Sequence, residues 1–494
     1  MRNLHYVLLP FFVLGTQASA ATPAARPNII VIYTDDHGYA DLGCQGVAKD
    51  VKTPNIDALA AAGVRMTSGY VTAPQCSPSR CGLIIGQFQG KFGMDNNKSW
   101  SAVPGLSEKF FNLKTLPDRM KGAGYVTGMA GKSHLGSNDS GKLTELGFDK
   151  VFFKHSNAPG HWNMNMKGED IPPQEHPKLS GYHLEQITDF TCAFIDRFKA
   201  QPFFFYVAYR SPHIPLDAPK KYTDRFPDAQ PEARRKALGM IAAVDDGVGK
   251  VMDTLRKNGI EENTLVFVIS DNGAPIGLTT PESRAAGARD WPGSLNDPLN
   301  GGKGMLIEGG IRTPFVMQWK GTIPAGQVYD QPVISLDVAA TANALAGNPD
   351  DPALDGVNLI PYLTHKKSGA PHETLCWRWE GQFAIRKGDM KYLISGKRQY
   401  LFNLASDPEE KNNLHAQKTD QSKELRDQLE KWSQSLIPAG LDQPGRSVDL
   451  GFFDFYLDGK HDLAKGGGDS MPKRKKGKAR REKAATTDES ESEE

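Results

Sequence analysis

Asn28-Ile29-Ile30-Val31-Ile32-Tyr33-Thr34 is an unbroken apolar, β-branched run that stops on three ionisable residues, Asp35-Asp36-His37. A run without polar alternation suits a strand covered on both faces, as strands of a parallel sheet are. Two further stretches repeat the arrangement: residues 203–209 run into Arg210-Ser211-Pro212-His213, and residues 264–270 into Asp271-Asn272-Gly273. Between them Leu238, Ile241, Val244, Val248, Val251 and Leu255 recur at three- and four-residue steps, one apolar face of a helix that Gly259 is placed to end. Strands alternating with helix-like stretches over residues 26–364 predict an α/β domain on a large, mostly parallel sheet. In open sheets of this class the ligand crevice lies outside the carboxyl ends of the strands, so the three polar runs are expected to converge.

The rest of the chain frames that domain. Its 494 residues carry 59 Lys plus Arg against 58 Asp plus Glu, a net charge of +1, which gives no field to steer the chain toward nucleic acid. With 39% hydrophobic residues, 50 Gly and 33 Pro it reads as loop-rich and globular. Residues 1–20 read as a signal peptide: Arg2, an apolar stretch at 6–14, and Ala18-Ser19-Ala20 as cleavage site. The apolar run is short of the roughly 20 residues that span a bilayer, so no stable membrane insertion is expected and the mature chain is placed in the periplasm or outside the cell. Five cysteines, Cys44, Cys76, Cys81, Cys192 and Cys376, do not make a disulfide scaffold, and their odd number leaves at least one unpaired. The large domain is expected to occupy residues 21–368. Short runs at 374–379, 382–386, 390–395 and 399–403 and a polar helix near 423–436 predict a smaller α+β domain, an antiparallel sheet with one helix, over 369–464. Residues 465–494 read as a disordered charged tail: 473–483 hold eight basic residues and 488–494 are mostly acidic and serine. A solvated tail or an anionic-polysaccharide contact would both suit the basic block.

The chemistry available at the strand ends is specific. Asp35, Asp36, Asp271 and Asn272 offer hard oxygen ligands that suit Ca²⁺ or Mg²⁺. Lys132 and His134, in Gly131-Lys132-Ser133-His134-Leu135-Gly136, and Lys303, in Gly301-Gly302-Lys303-Gly304, put positive groups where glycines allow close approach, as an anionic sulfate or phosphate group requires. In Cys76-Ser77-Pro78-Ser79-Arg80-Cys81-Gly82, residue 79 and the run 81–85 read as the start of a helix whose positive end lies near Cys76.

With Ser211-Pro212-His213-Ile214-Pro215 and Glu308-Gly309-Gly310-Ile311-Arg312-Thr313-Pro314 added, these motifs resemble in residue and order the type I, formylglycine-dependent sulfatases of the alkaline phosphatase superfamily, and residues 400–414 resemble the family's second domain. The resemblance implies the alkaline phosphatase-like sandwich of helices about the sheet. It implies that Cys76 becomes formylglycine (3-oxoalanine), made by a formylglycine-generating or radical maturase enzyme, whose hydrate attacks sulfur. One Ca²⁺ would be held by Asp35, Asp36, Asp271, Asn272 and the modified Cys76, with Asp271 helping to activate the hydroxyl. Arg80 would steady the hydrate, Lys132, His213 and Lys303 would bind sulfate oxygens, His213 or Lys303 would protonate the leaving alcohol, and His134 would act as the base that expels sulfate. Ser133 departs from the family, where many members carry Trp, and this puts the leaving-group preference in question.

The implied function is an exported sulfuric ester hydrolase acting on a sulfated carbohydrate, with an aryl sulfate, or a phosphonate or phosphodiester, as alternative substrates of the same site. Every implied catalytic position is filled, which disfavours a non-catalytic sulfated-glycan-binding protein. His155, His161, Trp162, His183, Arg210, Trp291 and Arg378 are candidates for substrate subsites.

Overall fold

The computed structural model describes residues 26–95, 97, 113–135, 140–154, 160–176, 179–275, 293–349, 351–441 and 450–459. The expected leader and charged tail, with Gly136, His155 and Trp291, lie outside the described residues.

In chain order the strands are β1 (Asn28–Asp35), β2 (Val64–Met66), β3 (Gly69–Tyr70), β4 (Val126–Gly131), β5 (Lys150–Phe153), β6 (Gly160–Met164), β7 (Asp170–His176), β8 (Phe203–Pro212), β9 (Thr264–Ser270), β10 (Phe315–Gln318), β11 (Gln327–Tyr329) and β12 (Val333–Ile334). Ten of them form one sheet in the order β11-β2-β10-β9-β1-β8-β4-β5-β6-β7, and β3 pairs with β12 alone. The five central strands, β9 to β5, are parallel; β10 turns antiparallel on one side and β6 and β7 on the other. Every residue of β1, β8 and β9 is buried, which is why those segments read as continuous apolar runs.

Four helices fix the frame: α1 (Pro54–Ala61), α2 (Cys76–Ile85), α3 (His183–Phe198) and α4 (Glu232–Lys257). Leu238, Ile241, Val244, Val248, Val251 and Leu255 of α4 join Ile187, Phe190 and Phe194 of α3 against one sheet face, made by Ile30, Ile32, Phe205, Val207, Val266 and Val268. Each such fully buried side chain contributes about 1.5–3 kcal/mol of transfer free energy. On the opposite face Tyr33 and Tyr206 meet α2.

The four predicted short strands form an antiparallel meander, β13 (Thr374–Trp379), β14 (Gln382–Lys387), β15 (Met390–Ser395) and β16 (Arg398–Asn403). Alternation divides its faces. Phe383, Ile385, Tyr392, Ile394 and Leu401 pack under Leu425 and Leu429 of α5 (Thr419–Ser433). Trp377, Gln382, Arg386 and Lys391 point the other way, into hydrogen bonds with the large sheet's loops. Helix α5 starts and stops a few residues before its predicted bounds. The small sheet lies in one compact unit with the large one, a unit that runs to Val448. A short helix, Leu450–Tyr456, belongs to the second unit. All five cysteines are free, and among the described residues no helix is long and apolar enough to cross a membrane.

Candidate active site

Parallel pairing sets Thr34 of β1 beside Ser270 of β9, so both strands stop at one level and deliver Asp35-Asp36 and Asp271-Asn272 together. Asp36 turns the chain out of the strand with a left-handed φ of 60°, and its N–H donates to Asp271 Oδ1 at 3.2 Å. The third polar run arrives on β8: His213 Nε2 is 3.8 Å from Asp36 Oδ2, and its Nδ1 is 2.6 Å from the carbonyl of Ile214.

Helix α2 begins at Cys76 itself, three residues before the predicted start. Pro78 occupies the first turn, where backbone N–H groups have no helical acceptor, so its ring interrupts nothing. Every residue of the helix is buried. A Cβ on Gly82 would lie 2.5 Å from Thr72 Oγ1, which shows how closely the helix is seated. Cys76 Sγ is 3.3 Å from Asp35 Oδ1. One turn on, Arg80 sends Nε to Asp271 Oδ2 at 2.9 Å and Nη1 to the Tyr206 hydroxyl at 3.1 Å and the Lys132 carbonyl at 3.2 Å.

Lys132 leaves the end of β4, where Gly131 is required: φ is 105°, and a Cβ would sit 2.0 Å from the Ala208 carbonyl oxygen. Its Nζ is 2.7 Å from Asp35 Oδ2. His134 has a φ of 50° and is held there by Ser77, whose hydroxyl donates to the His134 carbonyl at 2.9 Å; His134 Nδ1 is buried without a hydrogen-bond partner. Lys303 comes from the loop before β10, with Nζ 2.7 Å from Asp36 Oδ1 and 3.2 Å from Cys76 Sγ.

Three buried carboxylates thus face two buried cations, Arg80 and Lys132, and one partly buried, Lys303. Burial alone would raise Asp35, but Lys132, His213, Arg80 and Lys303 hold it well below the usual carboxylate range. Burial, with Asp35 adding like charge, pushes Asp271 up to about 7 in spite of Arg80. Burial, Asp271 and Asp35 push the Cys76 thiol well up, so the unmodified side chain is a protonated thiol and a poor nucleophile. Burial and Lys132 drive His134 well below its ordinary value, leaving a neutral ring that can accept a proton. Burial takes His213 down to about 4. Asp36 and Asp35 raise Lys303 against its burial, so it stays charged.

The donor set fits a hard cation. One oxygen each of Asp35, Asp36 and Asp271 and the Cys76 sulfur lie within 4.8 Å of one another. Asn272 Nδ2 donates to Asp36 Oδ1 at 2.6 Å while its buried Oδ1 has no hydrogen-bond partner, an oxygen available as a further ligand.

All ten sequence-predicted site residues come together, whereas the subsite candidates disperse. Trp162 packs against Phe152 in the core, with ring centroids 5.1 Å apart and planes tilted by 38°. Arg378 is buried against Asp95 at 2.8 Å and the Ile437 carbonyl at 2.7 Å, a structural ion pair. His183 is fully buried at the start of α3. Arg210 bonds the Ile214 carbonyl behind His213, and His161 is a half-buried residue of β6. Tyr206, Ser77 and Gln382 support the site and were not foreseen. Alternation along 203–209 puts residue 206 on the α2 face, the one signal that marks Tyr206.

A sulfatase family model matches residues 27–348, and a model for the C-terminal part of N-sulphoglucosamine sulphohydrolase matches 302–435. The chain is 31% identical over 407 residues to the uncharacterized sulfatase YdeN of Escherichia coli, covering 71% of this chain and 68% of that one. It is also 31% identical over 365 residues to human N-acetylgalactosamine-6-sulfatase, covering 68% and 66%. Among solved structures, Ps i-CgsB in complex with k-i-k-neocarrahexaose superposes with a TM-score of 0.71 at 29% identity, covering 87% of this chain and 97% of that one. A cysteine-headed helix facing a carboxylate cluster and three cations, on this sheet, agrees with those matches: the chain belongs to the sulfatase family of the alkaline phosphatase superfamily and is a sulfuric ester hydrolase.

Proposed function

We propose that this sulfatase releases sulfate from a sulfated carbohydrate after export to the periplasm or the medium, with Cys76 matured to formylglycine by a dedicated maturase. The observation that carries the reading is the juxtaposition of Cys76 with Asp35, Lys132 and Lys303, a nucleophile position flanked by a cation site and by sulfate-sized positive donors. A carbohydrate is supported by the relatives, one named for N-acetylgalactosamine 6-sulfate chemistry and one bound to a neocarrahexaose.

The hydrate of residue 76 supplies the attacking hydroxyl. Asp35, Asp36, Asp271 and Asn272 with residue 76 would hold one Ca²⁺, which when bound would supply fixed positive charge where negative charge grows on the sulfate oxygens. Lys132, His213 and Lys303 hydrogen-bond those oxygens and orient the ester for in-line attack. Arg80, ion-paired with Asp271, steadies the nucleophile. His213 or Lys303 protonates the departing alcohol oxygen, and His134, neutral and with an unengaged Nδ1, takes the proton of the second hydroxyl.

The test is sulfate release from a panel of sulfated mono- and oligosaccharides, an aryl sulfate and a phosphodiester, using enzyme produced with its maturase and a Cys76→Ala control. Release from a glycan, lost in the control, is expected. Release from the aryl sulfate or phosphodiester alone refutes the carbohydrate assignment, and peptide mass at residue 76 checks the aldehyde.

A further inference from the structure

Lys303 sits in a turn that has little stiffness of its own. Gly301 and Gly304 flank it with left-handed φ values of 65° and 89°, and Gly302 lies between. The lysine nevertheless holds its Nζ within 2.7 Å of Asp36 and 3.2 Å of Cys76. Something outside the turn must fix it.

Two anchors come from the large domain: Lys303 N–H donates to the Ala274 carbonyl at 3.0 Å, and Gly304 N–H to the Pro74 carbonyl at 2.8 Å. The far side of the turn is held from the small sheet. Gln382, the first residue of β14, donates from Nε2 to the Gly304 carbonyl at 2.9 Å and accepts at Oε1 from the Leu306 N–H at 2.9 Å. Its side chain is buried, at 5% exposure. A primary amide is the side chain that can pair a carbonyl and an N–H two residues apart without adding charge next to the cation site. Buried backbone groups left without such a partner are costly, so the bridge holds the turn in one conformation.

We infer that Gln382 is a positioning residue for Lys303, so that the small antiparallel sheet is a working part of the active site. The inference rests on the reading of Lys303 as a sulfate-binding group. Gln382 touches neither Cys76 nor the carboxylates, and it acts by stapling the Gly304–Leu306 backbone that sets the lysine's reach. Displacement of a reacting group by about 1 Å can cost roughly 100-fold in rate.

The experiment compares matured wild-type enzyme with Gln382→Leu, Gln382→Glu, Lys303→Ala and the Gln382→Leu/Lys303→Ala double variant. The readouts are kcat and KM on 4-methylumbelliferyl sulfate, and affinity for inorganic sulfate by calorimetry, which answers even without turnover. Tm and the mass-measured aldehyde fraction correct for folding and maturation. Lys303→Ala is expected to weaken sulfate binding about tenfold or more, and Gln382→Leu to move sulfate affinity and kcat/KM in the same direction by roughly 10- to 100-fold. Gln382→Glu, which keeps the acceptor for Leu306, should lose less than Gln382→Leu, and the double variant should be no worse than Lys303→Ala alone. Unchanged sulfate affinity in Gln382→Leu beside a weakened Lys303→Ala overturns the inference, as does a double variant weaker than Lys303→Ala. Unchanged affinity in Lys303→Ala overturns the reading of the lysine itself.

Discussion

Position 76 separates three chemistries that differ by one functional group. As a buried thiol it is protonated and close to inert, as a hydroxyl it could attack once, and as a hydrated aldehyde it carries a second hydroxyl through which sulfate can be expelled. Cys76→Ser is therefore expected to release alcohol in at most one burst per active site and then stop, with mass spectrometry showing the sulfate retained on residue 76. Steady multiple turnover by that variant would exclude the assigned nucleophile. The carboxylates around it make a second expectation. Asp35, Asp36 and Asp271 are buried within reach of one another, and repulsion by Asp35 is part of what pushes Asp271 up to about 7. A bound divalent cation relieves that repulsion, so chelation by EDTA should abolish sulfate release and lower Tm by several degrees, with Ca²⁺ restoring both.

Among the elements, α2 is the one on which most depends, since it carries both Cys76 and Arg80 one turn apart. Gly82→Ala forces a methyl against Thr72 and is expected to cost about 1–3 kcal/mol in urea unfolding and to reduce activity more than the lost stability explains. The docking face of the small sheet makes a separate prediction. Lys391 Nζ lies between Glu308 Oε1 at 2.9 Å and Glu410 Oε1 at 2.8 Å, all buried. Lys391→Met leaves two carboxylates facing each other and should cost about 3–5 kcal/mol, largely recovered when Glu308 and Glu410 are also changed to Gln, as urea titration would show. How far such elements are legible beforehand follows from their physics. Residues 264–270 match their strand because a nearly unbroken apolar run between turn residues admits few other structures. β2, β11 and β12, of two or three residues, carry no period at all and exist through their neighbours. Helix α2 starts three residues ahead of residue 79 because Pro78, in a first-turn position, is tolerated inside the helix. The part of the candidate site made by Asp35, Asp36, Asp271, Asn272 and His213 was legible because those residues lie at strand ends, whereas Trp162 and Arg378 look like ligand-binding types and only burial shows them to be packing. Gln382 had no signal, because its partners are backbone atoms of a loop 76 and 78 residues away.

At the scale of the molecule, the link between the small sheet and the body is also sensitive to pH. His372, just before β13, lies 2.8 Å from Asp337 Oδ1, and although burial works against it, Asp337 raises the imidazole above its ordinary value of 6.5. A raised histidine contributes stability that is complete below 6.5 and lost as pH climbs through the raised value. Calorimetric Tm should therefore decline as pH rises from 6.5 through the raised value, and His372→Gln should flatten the decline. Assembly in time follows from the sheet order. β1 lies at the centre, between β8 and β9, and Asn28 meets Thr264 across 236 residues of chain. At a synthesis rate of about 5–20 residues per second, the first strand waits roughly 10–50 s for its second neighbour. Helix α2, which packs on that unfinished face, waits with it. A side chain that ends with 0% of its surface exposed is therefore open to another protein's active site before that clock runs out, and any chemistry performed on Cys76 from outside belongs to the growing or still-unfolded chain.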